Sequence, residues 1–290
     1  MMQHLYLQAP AKINLTLDVL GRRADGYHEL ATTMHQIDWA DTVALEKAAE
    51  GVQLEHDHAM LPKNEENLAF RAAQAVKEFT GITSGVRIII RKRIPLEAGL
   101  AGGSTDAAAV IRGMNTLFDL QLTTAEMCGI GESLGADVPF CVQGGTAFCT
   151  GRGEIIQTLP DDGLGLIFVL VKPSVSLATA MVFSRFESAK VQERPQEALF
   201  QKAWRNRELL TMLPALGNVL ETVSAELEPE IAEIKHQLLS LGALASLMSG
   251  SGSAVFGIFV DEAAALQAAT TLKNQYPEVR LCRSFIRSAE

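Results

Sequence analysis

Eleven residues restrict what this chain can become more than any others: Pro95, Leu96, Glu97, Ala98, Gly99, Leu100, Ala101, Gly102, Gly103, Ser104 and Thr105. They follow the apolar, β-branched run Val86, Ile88, Ile89, Ile90, which predicts a strand, and precede the helix-forming run AAAVIRGMN. Pro95 has no N–H to donate and ends strand pairing. The three glycines permit positive φ and let a ligand approach the backbone closely. Ser104 or Thr105 is placed to cap the helix, whose first N–H groups lack internal partners. A glycine loop that feeds a helix N-terminus gathers backbone donors and the positive end of the helix dipole at one point, and phosphate is the natural occupant. A plain strand-to-helix connection accounts for the glycines alone equally well. No Gly-Lys-Ser/Thr follows, and the spacing of Gly99, Gly102 and Gly103 misses G-x-G-x-x-G, so two familiar phosphate motifs are set aside.

The 290 residues give room for one large domain or two ordinary ones, and 48% hydrophobic with 20% charged residues predicts a substantial core. Lys plus Arg 25 against Asp plus Glu 34 leaves −9, and no long basic block occurs, so nucleic acid is not an expected partner. The N-terminus shows no signal-peptide pattern, and no apolar run reaches membrane-spanning length. Cys128, Cys141, Cys149 and Cys282 show neither metal nor redox spacing, which predicts reduced thiols in a cytoplasmic protein.

Residues 12–19 alternate. Ile13, Leu15, Leu17 and Val19 face one way and Lys12, Asn14, Thr16 and Asp18 the other, so Lys12 and Asn14 share the polar face of one strand. A solvated outer face explains that arrangement as readily as a site does. Asp25-Gly26 marks a turn, with Tyr27 and His28 opening the next extended segment. Residues 32–46 and 51–56 predict further strands of an antiparallel sheet, and His56-Asp57-His58 is read as a solvated hairpin tip rather than a metal site. Leu68, Ala72, Ala75, Val76 and Phe79 mark an amphipathic helix stopped by Gly81, and Thr123-x-x-Glu126 is a capping box. Asp137, between Ala136 and Val138, is a candidate buried carboxylate, although a helix cap or turn also explains it. A hairpin is expected over 146–159 and a composition break at Pro160–Gly163. Beyond the break the order is strand, helix, two strands, helix, strand, the ferredoxin-like pattern, with a mostly helical insertion over 173–227. Met248–Ser253 forms a second Gly/Ser loop between the middle strands.

The string P-x-x-x-G-L-A-G-G-S-T-D-A resembles the phosphate loop of the GHMP kinases. That family's two other motifs have counterparts in Pro10-Ala-Lys-Ile-Asn-Leu15 and Ser249-Gly-Ser-Gly252, so the resemblance covers nearly the whole chain. It implies an α+β, two-domain GHMP kinase fold, with a ribosomal protein S5-like N-domain over 1–160 and a ferredoxin-like C-domain over 161–290. It implies ATP as co-substrate, with Mg²⁺ held mainly by the phosphates and no protein-ligated metal. Lys12 and Asp137 match the family's catalytic pair; Asn67, Lys92 and the loop 95–105 match its nucleotide contacts. PAKINLTLDVLGRRADGYHEL and LGADVPF are similar to a branch whose alcohol acceptor carries a cytidyl group. There Asn14, Tyr27, His28, Thr179 and Phe183 match the acceptor pocket. Such an enzyme works on small molecules, without nucleic acid or membrane, as a monomer or weak homodimer. Ser253 and Asn218-Val219 depart from the pattern, and neither touches the Lys12 and Asp137 positions. Kinases of the same family with acceptors such as homoserine or mevalonate have no base to stack, and a ligand-sensing relative that has lost catalysis would not need Lys12, Asp137 and an intact loop.

Overall fold

The computed structural model describes residues 4–160 and 164–285, and they gather into two compact units. The first takes the chain up to Ala11, then Trp39–Ile94 and Ala101–Gly144; the second takes Lys12–Asp38, Pro95–Leu100 and the rest from Gly145. Strands β1 (Leu5–Arg22) and β2 (His28–Ala48) supply residues to both units. The expected cut near 160 falls within the second unit, and residues 161–163 of the composition break lie outside the described residues.

In the first unit, β3 (Val52–His56) precedes α1 (Leu68–Thr80), β4 (Gly85–Arg91), α2 (Gly102–Leu117), α3 (Thr124–Glu132) and α4 (Val138–Gln143). Thr42–Ala48 of β2 pairs antiparallel with β4, as expected, but β3 pairs parallel with β4, with Val52 opposite Val86. The antiparallel expectation for 51–56 is thus corrected. The chain leaves β3, crosses over through α1 and returns in the same direction, which is what a helical crossover enforces. Asn67 caps α1 by accepting from Ala69 N, and Gly81 closes it in the left-handed region at φ 73°. The capping box at Thr123 and Glu126 forms as read.

In the second unit, β5 (Thr146–Gly151) and β6 (Ile155–Leu159) make the expected hairpin, and β5 also pairs with Leu30–His35 of β2. Then come β7 (Ile167–Lys172), α5 (Thr179–Arg185), α6 (Glu197–Asn206), α7 (Leu209–Met212), the two-residue β8 (Gly217–Asn218), α8 (Glu221–Leu227), α9 (Glu230–Ser240), β9 (Ala245–Met248), β10 (Val255–Phe259), α10 (Glu262–Leu272) and β11 (Glu278–Arg283). The sheet order β11-β7-β10-β9 is antiparallel throughout and has the ferredoxin-like connectivity read from sequence. Residues 173–227 form the helical insertion, except that β8 adds to β1 at Thr16 and Leu17.

Candidate active site

The structure first corrects the helix start. α2 begins at Gly102, two residues before the expected caps, with Ala101 at the N-cap in the left-handed region (φ 57°) and no side-chain cap. Gly102 and Gly103 are therefore helical residues in the first turn, and of the three glycines only Gly99 (φ 73°) uses positive φ. Glu97 (φ 49°) and Ala101 take that region without being glycine. Ser104 lies inside the first turn, and Thr105 donates its hydroxyl to Pro10 O at 2.7 Å, which ties the helix to β1.

Lys92, expected at the nucleotide, is buried among carboxylates of the first unit. Its ammonium lies 2.5 Å from Asp41 Oδ2 and 2.8 Å from Asp106 Oδ2. Burial alone would lower the Lys92 pKa, but the two carboxylates outweigh it and hold it above the ordinary lysine value. Asp106 is pushed up to about 8, first by burial and then by the neighbouring Asp41 charge against the opposing pull of Lys92. Asp41 Oδ1 also accepts from Arg93 N and Ile94 N at 2.5 and 2.9 Å, so this cluster fixes the backbone before Pro95 as well as α2. Asn67 is similarly engaged: besides capping α1, its amide donates to Pro62 O at 2.9 Å. Asp137 stands half-buried at the N-cap of α4, with no side-chain cap bond, so the burial expected from its neighbours is only partial.

In the second unit the polar face of β1 is not solvated. Lys12 is 4% exposed, Asn14 3% and Thr16 0%. The Lys12 ammonium donates to Asn14 Oδ1 at 2.7 Å and to Gly99 O at 2.9 Å. Ser249 Oγ donates to the same Gly99 carbonyl at 2.9 Å, while Leu100 O accepts from Lys12 N and Ala98 O from Ala254 N. Three successive loop carbonyls are thus turned onto protein donors. The approach is so close at Gly99 that a Cβ there would lie 2.1 Å from Ser249 O.

The Gly/Ser loop is itself bracketed by the insertion. Asn218 donates to Met248 O and Gly250 O, both at 2.8 Å, and accepts from Leu220 N; Glu221 accepts from Met248 N at 2.6 Å. Thr179 and Ser251 hydroxyls meet at 2.9 Å. Around the turn, Asp25 accepts from Tyr27 N, the exposed Tyr27 ring carries the Arg152 guanidinium 5.2 Å from its centroid, and His28 stacks on Phe183 at 5.2 Å. Burial and the Arg22 charge lower the His28 pKa, which favours a neutral ring.

Residues 67–145 match the family described as GHMP kinases N terminal domain, and 197–278 match GHMP kinases C terminal. A 4-diphosphocytidyl-2-C-methyl-D-erythritol kinase of Syntrophomonas wolfei is 46% identical over 99% of this chain and 100% of its own length. The chain belongs to the GHMP kinases. A second GHMP kinase of that printed description, from Acetivibrio thermocellus, is 47% identical over 94% of this chain and 96% of its own. A crystal structure of 4-(cytidine 5'-diphospho)-2C-methyl-D-erythritol kinase shares the fold with a TM-score of 0.82 and 33% identity, covering 97% of this chain and 100% of that one.

Local pattern in this GHMP kinase assigns no role to Asp41, Asp106, Asn218 or Ser251, although Asp106 and Ser251 stand within motif strings and Asn218 at a departure from the family pattern. Asp41 stands in a largely apolar strand segment, and Asp106 stands in the motif string without a role. The role of Asn218 is not written locally, because two of its partners lie 30 and 32 residues further along the chain.

Proposed function

We propose that this chain transfers the γ-phosphoryl group of ATP to the 2-hydroxyl of 4-diphosphocytidyl-2-C-methyl-D-erythritol, giving the 2-phosphate and ADP in the non-mevalonate route to isoprenoid precursors. One observation carries the reading: the Gly99 carbonyl accepts from both Lys12 and Ser249, so residues of all three family motifs meet at one atom. With their carbonyls already taken up by protein donors, Ala98, Gly99 and Leu100 oppose an arriving phosphate less. Tyr27, His28 and Phe183 supply rings for the cytosine, Thr179 borders them, and Asn14 steadies Lys12 or the acceptor's alcohol end.

Phosphoryl transfer asks the protein chiefly for position and charge. In this reading Asp137 accepts or orients the proton of the attacking hydroxyl, and the Lys12 ammonium balances charge on the transferred group. Asn67 and Lys92, engaged within the protein, act on the nucleotide through the helix and loop they hold. Mg²⁺ would enter with ATP, and such a hard cation is satisfied largely by phosphate oxygens and water. That suits Asp41 and Asp106, which are occupied with Lys92. The protein would work in the cytoplasm as a monomer or weak homodimer, with small molecules as its only partners. Coupled ADP release tests this. Turnover is expected with the cytidyl substrate and not with homoserine or mevalonate; preference for either control would overturn the acceptor, and no release with any would overturn the kinase.

A further inference from the structure

Where the Lys12 ammonium points depends in part on which end of the Asn14 amide faces it. An amide side chain has two ends, one donating and one accepting, and which end faces the ammonium is decided by what the other end meets. Asn14 Nδ2 donates to Thr32 Oγ1 at 2.8 Å, and the Thr32 hydroxyl donates its own proton to Thr16 O at 2.6 Å. With that proton committed, Thr32 can only accept from Asn14. The NH₂ end is therefore fixed toward Thr32 and the oxygen toward Lys12, which is a donor alone. The arrangement is buried, with Thr32 2% exposed and Asn14 3%, so water does not compete for it. Beyond it the Thr16 hydroxyl accepts from Thr33 N at 2.8 Å and donates to Glu197, which also accepts from Thr33 Oγ1 at 2.7 Å. The first residue of α6 thus anchors the far end of the chain of bonds.

We infer that Thr32 is a positioning residue for Lys12, acting through Asn14 by fixing which end of the amide faces the ammonium. The inference rests on the role given to Lys12 above. A reversed amide would present NH₂ to the ammonium, donor against donor, and displace it from Gly99 O. Thr32→Val keeps the shape and removes the hydroxyl. Thr32→Ser keeps the hydroxyl and removes a methyl group.

The test measures kcat and KM for ATP and the cytidyl acceptor in both variants, alone and in a Lys12→Met background, with thermal melting of each. Thr32→Val should lower kcat roughly ten- to a hundredfold, the scale of a misplaced catalytic group, with KM for ATP unchanged. Thr32→Ser should restore most of it, and Thr32→Val should add nothing once Lys12 is Met. Equal defects in Val and Ser would make Thr32 a packing residue. An undiminished factor in the Lys12→Met background would likewise overturn the inference. If Thr32→Val does not fold, Thr32→Ala carries the same comparison. A Lys12→Met chain with native turnover removes the role of Lys12 itself, whereas a defective Lys12→Met beside a normal Thr32→Val overturns the Thr32 inference alone.

Discussion

Gly99 and Gly103 look alike in the sequence and do different work. Gly99 holds φ 73° with backbone against its face, so Gly99→Ala should lower the melting temperature and weaken ATP binding together. Gly103 is helical, and a Cβ there meets only Leu68 Cδ1 at 3.5 Å, an ordinary contact. Gly103→Ala should therefore keep both, and melts with ATP titrations on the two variants check the contrast. Tyr27→Ala should weaken the cytidyl substrate by about 1–3 kcal/mol, the scale of base stacking on an aromatic ring, and leave ATP affinity alone. Equal losses for both ligands would make Tyr27 a packing residue. What sequence could say at this scale was which residues stand together along the chain. It could not say which glycine bends the backbone, because that depends on Ser249, 150 residues away.

Helix α2 carries a buried carboxyl, Asp106, against the ammonium of Lys92. Asp106 titrates near 8 in the folded chain against an ordinary value of 3.8, so the folded state holds a proton that the unfolded state has lost between those pH values. Its contribution is complete below about 4 and is lost as pH rises toward about 8, so stability should fall across that window. Asp106→Asn should flatten this decline in denaturant melts taken from pH 5 to 9; an unchanged slope would remove Asp106 as its source. Lys92→Met should cost roughly 3–5 kcal/mol in denaturant melts at neutral pH, because it leaves the buried Asp41 carboxylate without its cation. The strand before the loop, the capping box and the ferredoxin-like order were legible because each is written in local periodicity or capping chemistry. The parallel pairing of β3 and the true start of α2 were not. The first follows from the route of the chain through α1, and the second from Ala101 adopting a conformation that its residue type gives no reason to expect.

At the scale of the whole molecule, the family motifs stood in the right order but the compact units did not follow one cut. No linker marks the division because β1 and β2 are long strands that serve both units. The sequence named Lys12 and Asp137 without showing why a lysine could be buried in a strand; the Asn14 and Gly99 acceptors are the physical answer. The proposed reaction is phosphorylation of the cytidyl alcohol with Asp137 at the reacting hydroxyl. Its most direct test is single-turnover transfer of the γ-phosphoryl group to that acceptor, comparing the native chain with Asp137→Asn at saturating ATP and acceptor. The native chain should form ADP and the 2-phosphate together. Asp137→Asn should bind both ligands and keep its melting temperature while transfer slows by roughly two or more orders of magnitude, the usual scale for loss of a general base. A folded, ligand-saturated Asp137→Asn chain that transfers phosphate at the native rate would remove Asp137 from the reaction.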